Sequence, residues 1–363
     1  MLVTSVTADN FRSLRDVELP VAGNVTAVIG PNGAGKTNLI EALYFGLTGK
    51  SFRTADRRDL IPFGETYARV KVGVDTGHGN HHEFFSSTSR SEGSRFAMDG
   101  APIDQQQAAG FRPMITVFSP DRLEIIKGPP AVRRAHLDAF TAARWPARAE
   151  TRRKFGRALA QRNALLGRIA AGLSSAGEIA PWDRQVAEFG AELGQARSEA
   201  VLELADPFTA AAADIGLDGS VGLEYRPGAE LEADAIEAGL KERMDNDLRL
   251  GRTGWGPHHD EIRVDFNGRQ LRRFGSQGQQ RMGLLALFFA ERQALIDGGA
   301  AIPMMLLDDV MSELDAGRRD RLVARLGEGG QTIITAAETE LIPEDAGIAR
   351  VSTEGLFPEP EPT

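Results

Sequence analysis

Val25-Thr26-Ala27-Val28-Ile29 runs directly into Gly30-Pro31-Asn32-Gly33-Ala34-Gly35-Lys36-Thr37, and Leu39, Ile40, Leu43 and Leu47 follow at helical spacing. A strand, a glycine loop and a helix in that order leave a chain few folds to choose from. The loop matches the phosphate-binding pattern G-x-x-x-x-G-K-[ST] at every required position. Glycines are needed because backbone N–H groups must wrap closely around anionic oxygens, which side chains would obstruct. In such a loop Lys36 reaches the β- and γ-phosphates of ATP and the Thr37 hydroxyl holds Mg²⁺. Gly30 to Thr37, with Asn38 beside them, are therefore candidate nucleotide contacts.

Two downstream segments complete the pattern. Met304-Met305-Leu306-Leu307 is a continuous apolar run, expected of a parallel strand buried on both faces. It delivers Asp308 and Asp309 to the carboxyl end of the sheet, where ligands bind in such folds. Asp308 can join Thr37 in the metal shell, and Asp309 can orient or deprotonate the attacking water. Lys36, Asp308 and Asp309 are thus the candidate catalytic residues. Ser276-Gln277-Gly278-Gln279 reads as a helix capping box. A capped helix start also offers free N–H groups and a positive dipole end to a γ-phosphate, so all four residues are candidate contacts to ATP. A phosphate loop, then SQGQ, then a strand ending in two aspartates with Ser312-Glu313-Leu314-Asp315 behind it reads as an α/β ATP-binding-cassette head.

Composition bounds the alternatives. There is no cysteine among the 363 residues, which excludes disulfides and thiol chemistry and suits a cytoplasmic protein. The first residues lack a basic region followed by an apolar one, so no signal peptide is expected. The longest apolar stretch, around Leu284 to Ala290, is far below the roughly 20 residues that cross a bilayer, so no membrane association is expected. Net charge is −9, yet Arg112 to Arg168 holds 13 Lys/Arg against 4 Asp/Glu. That asymmetry fits either a polyanion-facing surface or a solvated arginine-rich helix. His78, His81, His82, His258 and His259 sit in turn-like surroundings without cysteine partners, which favours solvated histidines over a metal site.

Ala147 to Ala170 reads as one helix, and the segment after Pro181 as another, with Val186, Phe189, Leu193, Ala196 and Ala200 at steps of 3, 4, 3 and 4. Gly172 to Gly177 between them predicts a hairpin tip and a short antiparallel helical arm. Glu261 to Phe266 followed by Asn267-Gly268 predicts a β-hairpin. We expect an ATPase lobe over residues 1–117 and 297–356, a mostly helical lobe with the arm and SQGQ over 118–296, and a disordered tail over 357–363.

With these residues in hand the chain resembles the RecF family of bacterial recombination mediators and, more distantly, the heads of structural-maintenance-of-chromosomes (SMC) proteins. The resemblance rests on Asn10-Phe11-Arg12-Ser13, Ser51-Phe52-Arg53, the block from Pro120 to Asp138, Gln161 to Leu166, Gly256-Pro257-His258, Ser276 to Arg281 and Leu306 to Asp315. It implies a P-loop, SMC-like head that dimerises around ATP, because Lys36 and Ser276 belong to opposite faces in that architecture. It further implies a slow, DNA-stimulated ATPase that holds duplex, gapped or junction DNA and helps RecR and RecO load RecA. Arg133, Arg134, Arg152, Arg153 and Lys154 are the candidate DNA contacts. Three departures stand out: His136 replaces an aromatic residue, Asp309 stands where cassettes usually have glutamate, and no histidine occurs near Thr335. The last two imply slow hydrolysis and argue against a transporter's ATP-driving subunit. A soluble P-loop kinase is the other alternative, but SQGQ would then have no role. No glutamine between the lobes can be assigned to the magnesium shell.

Overall fold

The computed structural model describes residues 1–21, 23–77, 79–343 and 348–353; His78 and the tail from 357 lie outside them. The strands are β1 (Leu2–Asp9), β2 (Val17–Pro20), β3 (Val25–Ile29), β4 (Tyr67–Gly77), β5 (Asn80–Ser89), β6 (Gly93–Met98), β7 (Ala101–Pro102), β8 (Ile115–Phe118), β9 (Val221–Arg226), β10 (Glu261–Phe266), β11 (Arg269–Gln270), β12 (Met304–Leu307), β13 (Thr332–Ala336) and β14 (Ala349–Ser352). The helices longer than one turn are α1 (Lys36–Thr48), α2 (Pro130–Arg144), α3 (Thr151–Ala170), α4 (Ala180–Asp214), α5 (Ala233–Glu242), α6 (Met244–Leu250), α7 (Gln277–Asp297) and α8 (Ala316–Gly327). They form two compact units. One comprises Met1–Arg122, Asp214–Gly216 and the chain from Ala301 on; the other comprises Leu123–Ala213 and Leu217–Ala300.

The first unit contains two sheets. One is antiparallel, in the order β2-β1-β4-β5-β6-β7; the other is parallel, in the order β14-β3-β13-β12-β8. Every residue of β3, β12 and β13 is buried, as a parallel strand covered on both faces requires. The helix α1 lies in the same core as both sheets, with Leu39, Ile40, Leu43 and Phe45 packed among Val6, Val70, Val72, Val28 and Leu306. Gly46 lets it approach closely: a Cβ there would come within 2.4 Å of Val72 Cγ2. The two ends of the unit's sequence are stitched together by Gln331, whose amide accepts from Val3 N and donates to Val3 O, both at 2.7 Å.

The second unit is mostly helical, with a small antiparallel sheet in the order β11-β10-β9. The Asn267-Gly268 turn has positive φ at both residues (49° and 73°), the geometry that a tight hairpin demands. The strand β9, which pairs along the whole of β10, has no counterpart in the sequence reading. Gly172 (φ 73°), just past the end of α3, stops the helix, with Leu173 N bonded to Arg168 O at 2.8 Å, a C-terminal motif that calls for glycine. Ser175 and Glu178 then form a capping box ahead of α4. Phe155 and Ala158 of α3 pack with Val186, Ala187 and Leu193 of α4, and Ile236 and Leu240 of α5 join the same cluster. The helical pair is thus packed against further helices along part of its length rather than bare.

Two buried arginines organise this unit. Arg162, fully buried, donates to Asp183 (2.7 Å), Asp247 (2.7 Å) and Thr253 (2.6 Å). Arg197 grips both oxygens of Asp138 (2.8 and 2.9 Å) and also reaches Asp260 (2.8 Å), whose carboxylate accepts from the Tyr225 hydroxyl at 2.6 Å. Burial and the neighbouring Asp260 push the Tyr225 hydroxyl far above its ordinary pKa. A buried charge is tolerated only when it is paired and hydrogen-bonded in this way.

Candidate nucleotide site

Parallel pairing aligns the carboxyl ends of four strands. Leu307 sits opposite Phe118 and Ile334, and Thr335 and Ala336 sit opposite Val28 and Ile29. The residues that leave these ends are Gly30, Asp308 and, one step before its own strand ends, Thr335. The glycine loop starts here. Gly33 and Gly35 take positive φ (88° and 92°), which side chains resist. Gly30 has no room for one, because a Cβ would overlap the Thr353 hydroxyl at 1.8 Å. No side chain caps α1, so its first N–H groups stay available to an anion.

Lys36 folds back over the loop, donating to Gly30 O (2.6 Å) and Pro31 O (2.9 Å). Burial lowers its pKa from the ordinary value, and Asp309 and Asp308 pull it back up. The Thr37 hydroxyl donates to Asp308 Oδ2 at 2.8 Å. Asp308 is buried, which raises its pKa, while the hydrogen bonds from Thr37 and Thr335 oppose the rise. Asp309 takes a left-handed backbone conformation (φ 51°). Its N–H donates to Thr335 Oγ1 at 2.9 Å, and its carboxylate accepts from the Ser312 hydroxyl.

Beside the loop, Asn38 donates to Ser13 Oγ (2.7 Å) and accepts from Arg53 (3.1 Å). Three side chains from two segments then converge on the fully buried Glu41 of α1. Arg12 bonds both of its oxygens at 3.0 Å, Arg53 bonds one at 3.1 Å, and the Ser51 hydroxyl donates at 2.6 Å. The Asn10–Ser13 and Ser51–Arg53 segments carried no role in the sequence reading. Their shared carboxylate on the helix of the phosphate loop supplies one.

In the second unit Ser276 caps α7: its hydroxyl accepts from Gln279 N (3.2 Å), and the Gln279 side chain accepts from Ser276 N (2.9 Å). The capping reading of SQGQ is therefore correct. Ser276 and Gln277 remain exposed. The next residue, Gln280, donates to the carbonyls of Leu271, Arg272 and Gly275 at 3.1–3.3 Å and so fixes the loop that presents the motif.

The five basic candidates divide. Arg133 is buried, with both oxygens of Glu261 at 2.8 and 3.0 Å and Gly128 O at 2.8 Å. A guanidinium so committed cannot also meet a DNA phosphate, so Arg133 is corrected to a structural residue. Arg134 donates to Asp260 O at 2.7 Å. Arg152, Arg153 and Lys154 lie exposed on the first turn of α3, where Arg152 is 3.4 Å from Asp138, Arg153 pairs with Glu150 and Lys154 lies over the Phe189 ring. His136 faces Glu291 at 2.7 Å and packs against Phe288, which explains a polar ring where an aromatic one was expected. His82 pairs with Asp99 at 2.7 Å. Burial lowers the His258 pKa to about 4.

Residues 2–355 match the sequence family described as the RecF/RecN/SMC N-terminal domain. The chain is 36% identical over 360 residues to the DNA replication and repair protein RecF of an Anaeromyxobacter species, covering 96% of this chain and 95% of that one. It is 33% identical over 334 residues to RecF of Moorella thermoacetica, covering 92% and 89%. The chain belongs to the RecF family. A solved structure of the recombination mediator RecF with ATP, from the RecFOR pathway, superposes with a TM-score of 0.82 at 27% identity over 94% of each chain. An Smc head bound to the C-terminal winged-helix domain of ScpA superposes with a TM-score of 0.58 at 17% identity, which shows a shared fold. The fold is therefore that of an SMC-like ATPase head, here in its RecF-family form. Among the described residues no helix is long and apolar enough to cross a membrane.

Proposed function

We propose that this chain is an ATP-dependent DNA clamp of recombinational repair and replication-gap processing. One observation carries the reading: Thr37 of the phosphate loop, Asp308 and Thr335 meet through hydrogen bonds of 2.8 Å at the carboxyl edge of the parallel sheet. That edge is where α/β folds bind ligands, and the RecF structure that resembles this chain holds ATP. Oxygen donors from Thr37 and Asp308, with no ion pair to Asp308 among the described residues, suit a hard cation such as Mg²⁺. When bound, Mg²⁺ would supply charge neutralisation at the β- and γ-phosphate oxygens. Lys36 would exchange its two loop carbonyls for phosphate oxygens, and Asp309 would orient the attacking water. Asp309 is one methylene shorter than glutamate, which supports slow hydrolysis as the release step.

In this reading the two units serve as an ATPase lobe and a signature-bearing lobe. Each ATP is held between the phosphate loop of one copy and Ser276–Gln279 of a second. The γ-phosphate bridges the copies, so its hydrolysis opens the dimer. RecO, RecR and, through them, RecA are the proposed partners, from the pathway in which the related RecF acts. The transporter reading has no support from the relatives at 33–36% identity described above, which are RecF proteins.

Sedimentation velocity tests the clamp. We expect a monomer without nucleotide or with ADP, and a dimer with ATP and Mg²⁺ that retains gapped duplex DNA. Ser276→Arg puts a bulky cation where the γ-phosphate of the second copy would arrive. It should leave ATP affinity of the monomer within about twofold and remove the dimer; a normal ATP-dependent dimer would end the bridging idea. For DNA, Arg152→Glu with Arg153→Glu should weaken binding at every sequence and lower the salt slope by about 2, one for each lost phosphate contact. An unchanged slope would place the DNA elsewhere.

A further inference from the structure

We infer that Thr335 is the positioning residue that sets the two acids of the site as one unit. The inference rests on the nucleotide reading above. A hydroxyl has a single proton and can also accept. The Asp309 N–H donates to Thr335 Oγ1 (2.9 Å), so the Thr335 proton goes to Asp308 Oδ1 at 2.8 Å. One buried oxygen thus joins the carboxylate that faces Thr37 to the main chain of the acid that would orient water. Thr335 has no accessible surface, and Asp308 very little.

The arrangement follows from register and stiffness. Parallel pairing of Leu307 with Ile334 places Asp308 next to Thr335 across the strands. A β-branched side chain is stiff at χ1, so the hydroxyl stays where β13 puts it. Asp309 leaves the strand in a left-handed conformation, a region uncommon for non-glycine residues though least so for aspartate and asparagine. Its N–H has left the ladder, and Thr335 receives it. From the other side Ser312 holds the Asp309 carboxylate. Thr335 reaches sideways, to the two acids, and both of its hydrogen-bonding roles are filled there.

Partners that orient functional ligands from behind typically account for a factor of 10 to 100 in activity or metal affinity. Thr335→Val keeps shape and removes the hydroxyl. We expect kcat for ATP to fall about 10- to 100-fold, with ATP affinity measured by calorimetry without Mg²⁺ unchanged within about twofold. The gain in ATP affinity on adding Mg²⁺ should shrink. Thr335→Ser restores the hydroxyl and should return both quantities to within a few-fold of the starting protein. In an Asp309→Asn background Thr335→Val should lower kcat by much less than it does alone, because part of its effect runs through Asp309. Wild-type kcat and Mg²⁺ response in Thr335→Val would overturn the assignment. So would a Thr335→Ser protein as impaired as the valine variant, which would point to packing of the methyl group. Lys36→Met separates the two levels: if it binds ATP normally the nucleotide reading itself fails, and if it is inert while Thr335→Val is normal, only the role of Thr335 fails.

Discussion

Lys36→Met is expected to weaken ATP binding by a hundredfold or more, on the order of 2.7 kcal/mol, while the folded protein melts where the parent does. Lys36 is the cation of the glycine loop, and its ammonium is parked on the carbonyls of Gly30 and Pro31 at 2.6 and 2.9 Å. Those carbonyls belong to the loop itself, so swinging the ammonium to a phosphate needs no movement of the sheet. A hydrogen bond to a charged group is worth about 1.5–3 kcal/mol, and the ammonium can make more than one to the β- and γ-oxygens. Methionine keeps the length and apolar stem of the side chain and deletes only the donors. Calorimetry reads the affinity directly. Thermal shift gives an independent check, since ATP stabilises only a protein that binds it. The parent should melt higher with ATP and the variant should not. A variant that still binds ATP as the parent does would count against the nucleotide reading of this loop.

The site was legible in the sequence to the extent that its chemistry is local. Backbone wrapping around phosphate demands glycines at fixed spacing, and delivery of an acid to a sheet edge demands an apolar strand before it. Both signals lie within a few consecutive residues. Thr335 shows the limit. Its hydroxyl acquires a role only when β13 pairs with β12 in one particular register, and no local pattern encodes that. In the sequence its neighbourhood stands out only for the lack of a histidine. Glu41 is similar: a glutamate in the middle of α1 reads as a surface residue until Arg12 and Arg53 are brought to it from either side in sequence.

The role of Arg133 eludes the sequence for a related reason. Charge counting cannot tell an arginine that faces solvent from one that holds the interior together. Arg133 lies 128 residues from Glu261, and Arg162 lies 21 and 85 residues from Asp183 and Asp247. Arg133 to Asp138, Gln161 to Asn163 and Gly256 to His258, three of the segments by which the chain resembles its family, contribute Arg133, Asp138, Arg162, Asn163 and Pro257 to these buried networks. Much of the family likeness in this unit therefore specifies the scaffold rather than contacts to DNA. The exposed Arg152, Arg153 and Lys154 remain the residues proposed to meet DNA.

Arg162→Met is the corresponding large effect on stability. The substitution fits the space but leaves Asp183 and Asp247, each about 1% exposed, without their counter-ion. Breaking a buried pair on one side costs about 3–5 kcal/mol, a fall in Tm on the order of 10 °C for a unit of this size. The three tryptophans, Trp145, Trp182 and Trp255, all lie in the second unit, so their fluorescence follows its unfolding selectively. The loss should depend on pH, and its sign is fixed. Burial already raises the Asp183 pKa above its ordinary value, and the hydrogen bond from Arg162 opposes that rise. Without Arg162 the folded-state pKa climbs further, so the variant folds best with the carboxyl protonated and loses stability as pH rises through that raised value. The deficit against the parent should therefore be smaller near pH 5 than near pH 8. Adding Asp183→Asn and Asp247→Asn removes the orphaned charges and should recover part of the loss. If Arg162→Met alone melted with the parent at both pH values, the ion triad would not hold this unit together.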